Sequence, residues 1–157
     1  MSSEIQPPNN LSVNSLRIGI IAAKFNTVLV DSLLQRVLKC ISQRGEPEKL
    51  TIERVPGSHE IPVALSLILN SGDYSCLIAL GVVIKGATSH HNLVAESSGN
   101  AIQNLSVSFN VPIINGIVVA DNIADAEERI IGKLDRGHEF AHAAIEMGNL
   151  HNKWTKI

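Results

Sequence analysis

The sequence predicts a three-layer α/β/α domain on a central four-stranded parallel sheet. Three observations lead there. Short apolar runs recur four times, segments with apolar residues three and four apart follow them, and the joints carry glycine, proline, asparagine and serine. Strands alternating with helices in this way pair in parallel, because right-handed crossovers return the chain in the same direction.

Leu16 to Ala22 is the first buried strand. Ala23-Lys24-Phe25-Asn26 interrupts it, and Val30, Leu33, Leu34, Val37, Leu38 and Ile41 then recur at helical spacing until Arg44-Gly45. Leu50 to Val55 alternates as a second strand. Pro56-Gly57-Ser58-His59-Glu60 is a loop, and Pro62 suits the first turn of a helix carrying Ile61, Ala64, Leu65, Ile68 and Leu69. Cys76 to Val83 is the third strand, followed by a helix of about five turns with Val94, Ala101, Ile102, Leu105 and Phe109 as its stripe. Pro112 to Ala120 is the fourth strand, and Asp121 or Asn122 caps a helix through Ala124, Ala126 and Ile130. A charged break from Gly132 to Gly137 precedes a last helix, His138 to about Trp154. Residues 1–13, polar and proline-containing, form an arm, and 14–157 a single domain. Four strands and about five helices suit the doubly wound, flavodoxin-like arrangement.

Composition narrows the function. A net charge of −2 and only three Phe, one Tyr and one Trp offer neither a basic stripe nor a stacking platform, so nucleic acid is not an expected partner. No apolar run approaches the roughly 20 residues that span a bilayer, and the N-terminus lacks a leader's apolar core, so no membrane association and a cytoplasmic location are expected. Cys40 and Cys76, in apolar segments without metal-ligand spacing, read as buried free thiols. Charged residues make up 18%, a low share that fits a subunit burying surface against copies of itself.

In such sheets, ligands sit outside the carboxyl ends of the strands. The loops expected there hold the chain's unusual chemistry: Phe25, Ser58, His59, Glu60, Lys85, Thr88 and His90. Around Gly81-Val82-Val83-Ile84-Lys85-Gly86-Ala87-Thr88-Ser89-His90, a buried strand runs through a small-residue turn into a helix N-terminus. Uncapped N–H groups and the helix dipole there suit an anion, and His90 supplies a proton carrier. His91 reads as a solvent-facing neighbour. Glu60 reads equally as a first-turn carboxylate and as a ligand contact, Phe25 slightly more as a core plug than as a ring face, and Arg129 as a surface arginine. His138-Glu139-Phe140-Ala141-His142 matches HExxH, but Ile145 and Gly148 depart from the extended zinc pattern. An amphipathic helix with Phe140, Ala144, Ile145 and Met147 inward is the simpler account, and no metal is assigned.

Pro56-Gly57-Ser58-His59-Glu60-Ile61-Pro62 and Gly81 to His90 resemble the two signature loops of the lumazine synthase family. Lys24-Phe25-Asn26, Val111 to Ile117 and Ala143 to Met147 are similar to further elements of that family, in unbroken order from about Leu16 to Leu150. The resemblance implies a transferase of riboflavin biosynthesis. It condenses 5-amino-6-(D-ribitylamino)uracil with 3,4-dihydroxy-2-butanone 4-phosphate, giving 6,7-dimethyl-8-ribityllumazine, phosphate and water without a cofactor. By position, His90 would carry protons, Ala87, Thr88 and Arg129 would hold the phosphate, and Phe25 would stack on the pyrimidine. Ser58, His59 and Glu60 would meet the ribityl chain, with Val82, Val83 and Ile84 lining the pyrimidine pocket. Asn115 and Arg129 would reach a neighbouring subunit's site.

The family often has phenylalanine where Asn115 stands and an aromatic at His59. Its Gly-Asn-Lys-Gly reads Leu134-Asp135-Arg136-Gly137 here, which makes Lys133 and Arg136 further candidates for substrate binding. The resemblance also implies a homo-oligomer, a pentamer or a sixty-subunit shell, and riboflavin synthase as a partner. Two other functions are weighed: an inactive lumazine- or flavin-binding shell protein and, third, an HExxH zinc hydrolase.

Overall fold

A computed structural model of the chain describes residues 9–155. In chain order it contains β1 (Arg17–Ala23), α1 (Thr27–Ser42), β2 (Lys49–Val55), a 3-10 turn (Ser58–Glu60) and α2 (Ile61–Ser71). Then come β3 (Cys76–Ile84), α3 (His90–Phe109), β4 (Ile113–Ala120), α4 (Ile123–Ile130) and α5 (Arg136–Thr155). The four strands form one all-parallel sheet in the order β2-β1-β3-β4. The sheet is the doubly wound one expected, and its order reverses between β1 and β3.

Strand alternation divides the core in two. Ile18, Ile20, Ala22, Ile78, Leu80, Val82 and Val118 face α1, α4 and α5. Ile21, Ala23, Leu77, Ala79, Ile113 and Ile117 face α2 and α3. The central strands β1 and β3 are buried on both faces, which is why they read as continuous apolar runs. Each fully buried leucine or isoleucine there contributes about 2 kcal/mol. The edge strand β2 is covered less, and Leu50 and Ile52 remain exposed.

Local chemistry explains the helix ends. Asn122 caps α4, its side chain accepting from the Asp125 N–H at 2.9 Å. Pro62 falls in the first turn of α2, where its missing N–H costs nothing. The last helix begins at Arg136, earlier than the expected His138. Gly137 lies inside it, and a Cβ there would stand 2.8 Å from Arg36 Cβ and 2.9 Å from the Leu33 carbonyl. This glycine is a packing contact with α1, not a helix breaker. Ala144 and Ile145 are fully buried as expected and Phe140 packs partly inward, but Met147 faces out.

Of the arm expected over 1–13, residues 1–8 lie outside the described residues. Val13 belongs to the core and donates its N–H to the Arg44 carbonyl, while Asn9 and Ser12 contact α5 through side-chain amides. Both cysteines are free and buried, and burial pushes the Cys76 thiol up to about 12. Among the described residues, no helix is long and apolar enough to cross a membrane.

Candidate active site

At the carboxyl ends of β1, β2 and β3, beside the reversal of strand order, lies a cavity of about 460 Å³. Phe25, Ser58, His59, Glu60, Val82, Val83, Ile84, Thr88 and His90 all line it. Ala87, Asn115 and Arg129 do not line it within one chain.

Phe25 is 74% exposed and plugs no core. Its position is set by pairing that continues past the strands. Lys24 N–H donates to Val55 O at 2.7 Å, and Phe25 N–H to Pro56 O at 3.0 Å. Asn26 then turns left-handed (φ 58°), which asparagine tolerates, and its Nδ2 donates to Val82 O at 2.8 Å. Asn26 thus clamps the Phe25 loop onto β3. Arg54 reinforces the same corner: its guanidinium donates to Ala22 O, Ala23 O and the Asp31 carboxylate at 3.2, 3.1 and 2.8 Å. Replacing Arg54 by methionine should cost about 1 kcal/mol, a partly exposed charged network being worth no more. Urea unfolding would read that loss.

The second wall is the 3-10 turn. Glu60 accepts from the Gly57 N–H at 2.9 Å and closes the turn, so its carboxylate has a structural task at the cavity rim. Ser58 is buried, and its carbonyl accepts from Ser98 Oγ of α3 at 3.3 Å. Beneath it, a Cβ at Gly81 would lie 2.3 Å from Ser58 Oγ. Gly81 is what lets this turn settle on β3.

The floor is the end of β3. Its pairing with β1 stops at Ala22↔Leu80, whereas its pairing with β4 runs on to Ile84↔Ala120. Beyond Leu80 the β1-side backbone edge leaves the ladder, with Val82 O taken by Asn26. Such an edge can pair with a planar ring bearing amide-like groups.

The third wall is the start of α3. His90 is its first residue and is exposed; the Ser89 side chain makes no cap bond, and the His90 N–H donates to Thr88 Oγ1 at 3.4 Å. The helix dipole and the N–H groups of this turn suit an anionic ligand. His91, expected to face solvent, is half-buried and lines the cavity, with Nδ1 3.0 Å from Thr88 O. Asn26 and His91 are the polar lining residues not singled out as site residues from sequence. The Asn26 clamp spans a long sequence separation, so only its place beside Phe25 hinted at it.

Elsewhere, Asn115 is exposed on β4, its Oδ1 accepting from Ile117 N–H at 3.1 Å, and Arg129 donates to Val119 O. Arg136 is buried and ion-paired with Glu139 outside the cavity lining, and Lys133 is exposed outside the cavity. In the HExxH segment, His138 and His142 do share one helix face, but Glu139 is engaged by Arg136 and is not aimed between them as a hydrolase base must be. Burial, together with the His138 and Arg44 charges, pulls His142 below the usual histidine range.

Comparison with known proteins agrees with this geometry. The model of the family described as 6,7-dimethyl-8-ribityllumazine synthase matches residues 15–152. A protein of that name from Aquifex aeolicus is 42% identical over 142 residues, covering 89% of this chain and 92% of the relative. One from Cupriavidus necator is 40% identical over 144 residues, covering 91% and 85%. One from Thermococcus gammatolerans is 36% identical over 138 residues, covering 88% and 89%. A family match across the cavity loops and all four strands, at such identity, leaves one conclusion: the chain belongs to the 6,7-dimethyl-8-ribityllumazine synthase family.

Proposed function

We propose that 5-amino-6-(D-ribitylamino)uracil and 3,4-dihydroxy-2-butanone 4-phosphate condense in the cavity at the carboxyl ends of β1, β2 and β3. The chain is a transferase of riboflavin biosynthesis, and its product is 6,7-dimethyl-8-ribityllumazine. One observation carries the assignment: a single cavity joins an exposed ring, a strand edge, a polar turn and a helix start bearing histidine. Each matches one part of the two substrates. Phe25 stacks on the pyrimidine while the β3 edge at Val82, Val83 and Ile84 pairs with it. Ser58, His59 and Glu60 meet the ribityl hydroxyls, and Ala87 and Thr88 offer the helix start to the phosphate.

The chemistry is a sequence of proton transfers between held partners. The uracil amine attacks the butanone carbonyl, water leaves to give an imine, phosphate is eliminated, and the second nitrogen closes the ring with loss of water. Holding both substrates in one cavity removes the entropy cost of their encounter. His90 takes and returns protons along the way.

Asn115 and Arg129 lie away from this cavity in their own chain, on β4 and α4. They reach a neighbouring copy's cavity, which makes the active protein a homo-oligomer. The exposed Val63, Leu67, Leu93 and Val107 on α2 and α3 support burial against other copies. We place this assembly in the cytoplasm, as a pentamer or a shell of pentamers, with riboflavin synthase as the enzyme that takes up its product.

Steady-state kinetics of the Arg129→Ala variant tests the phosphate assignment. The KM for the butanone phosphate should rise about tenfold or more, as for a lost charge-assisted contact, with the KM for the uracil nearly unchanged. A rise confined to the uracil would place Arg129 elsewhere.

A further inference from the structure

The HExxH histidines meet a third metal-ligating group that the sequence gives no reason to associate with them. Cys40, near the end of α1, is 1% exposed and sits beside His138 and His142 of α5. The sulfur and one nitrogen from each ring all lie within 4.8 Å of one another. The two Nε2 atoms are 2.7 Å apart, with the rings edge to face at a centroid distance of 4.3 Å. Cys40 lies about 20 Å along α1 from its first residue, Thr27, at the catalytic end.

We propose that Cys40, His138 and His142 bind one divalent cation of borderline softness, zinc foremost, which ties α1 to α5. One thiolate and two imidazoles form a donor set such ions favour, and solvent completes a tetrahedron. With zinc–nitrogen bonds of about 2.0–2.1 Å, two ligating nitrogens stand about 3.3 Å apart. The ring pair therefore opens slightly while the sulfur closes in, all within side-chain rotation. The Cys40 thiol gives up its proton to solvent on binding, and each imidazole stays neutral with its remaining proton on Nδ1.

Arg44 acts on the site in two directions: its Nη2 is 3.4 Å from His142 Nδ1 and its Nη1 holds Asn9 O, which favours the tautomer with the proton on Nε2, while its charge favours the Cys40 thiolate. On binding, Arg44 swings away from Nδ1. The site is structural, because Glu139, the carboxylate an HExxH hydrolase would use as its base, is held by Arg136.

The test uses the purified full-length chain, stripped with chelator and titrated with cobalt(II), then zinc. One ion should bind per chain, with a thiolate-to-cobalt absorption in the near ultraviolet that zinc abolishes. That absorption should vanish in Cys40→Ala and His142→Gln and persist in Cys76→Ala. Zinc should also raise the melting temperature of the parent in a concentration-dependent way. X-ray absorption on the zinc-loaded parent needs no variant and should read one sulfur and two imidazole nitrogens. Absence of any thiolate band, survival of the band in Cys40→Ala, or a zinc shell without sulfur would each overturn the site.

Discussion

Replacing His90 by alanine should lower kcat for lumazine formation by about 10²-fold, the usual worth of a positioned acid–base group, with both KM values within a few-fold of the parent. His90 is exposed at the cavity wall and its side chain caps no turn, so truncation disturbs neither core nor cap. The fold should be unaffected, and circular dichroism with thermal unfolding would establish that. Uncatalysed condensation of the reagents sets a floor, so rates must be corrected with an enzyme-free control. A variant that turns over at the parental rate would remove His90 from the mechanism. One with parental kcat and a raised KM would make it a binding group.

The second large effect concerns stability. Gly116 faces Leu80 in the β3–β4 ladder, and a Cβ there would stand 2.6 Å from the Ala79 carbonyl oxygen, 2.8 Å from Leu80 Cδ2 and 3.0 Å from Phe140 Cδ2. The first contact is backbone in the neighbouring strand, so it cannot swing aside as a side chain could. Gly116→Ala must part the two strands or lift α5, at about 3 kcal/mol, which lowers the melting temperature by roughly 6–12 °C. Gly86→Ala is the control: a Cβ at Gly86 meets nothing within 4 Å, and that variant should melt like the parent. Equal melting of Gly116→Ala and the parent would mean the β3–β4 contact is looser than its geometry requires.

The sequence made some of this legible and hid the rest for identifiable reasons. The four strands and the doubly wound order follow from local periodicity, which needs no knowledge of distant contacts. His90 was visible because strand, small-residue turn and helix start are consecutive in the chain. Phe25 was ambiguous because its exposure depends on the Asn26 clamp to Val82 and on the Pro56 carbonyl, both far off in sequence. Arg54 gave no local signal, since its partners belong to β1 and α1. Gly137 was misplaced as a helix boundary because glycine near a charged break has that meaning far more often than close helix packing. The HExxH pattern was noticed, but Cys40 lies on another helix, and only the fold brings it to the pair.

Asn115 and Arg129 show how far a single chain can be read. Their roles came from family resemblance, and within one chain the fold sets them apart from the cavity. The proposed oligomer would bring them to a neighbour's cavity. The Arg129→Ala kinetics can be repeated on mixtures in which His90→Ala and Arg129→Ala chains are co-assembled. Each variant is defective alone, and if the two residues come from different subunits, mixed oligomers should regain part of the parental rate.

The most direct measurement is the rate of lumazine formation by the purified chain, given both substrates and followed by product absorbance against an enzyme-free control. The account predicts a large acceleration that chelator leaves unchanged, since the reaction needs no metal even where α1 and α5 share an ion. No acceleration, with the lumazine product still binding tightly, would contradict it and make the cavity a binding site without chemistry.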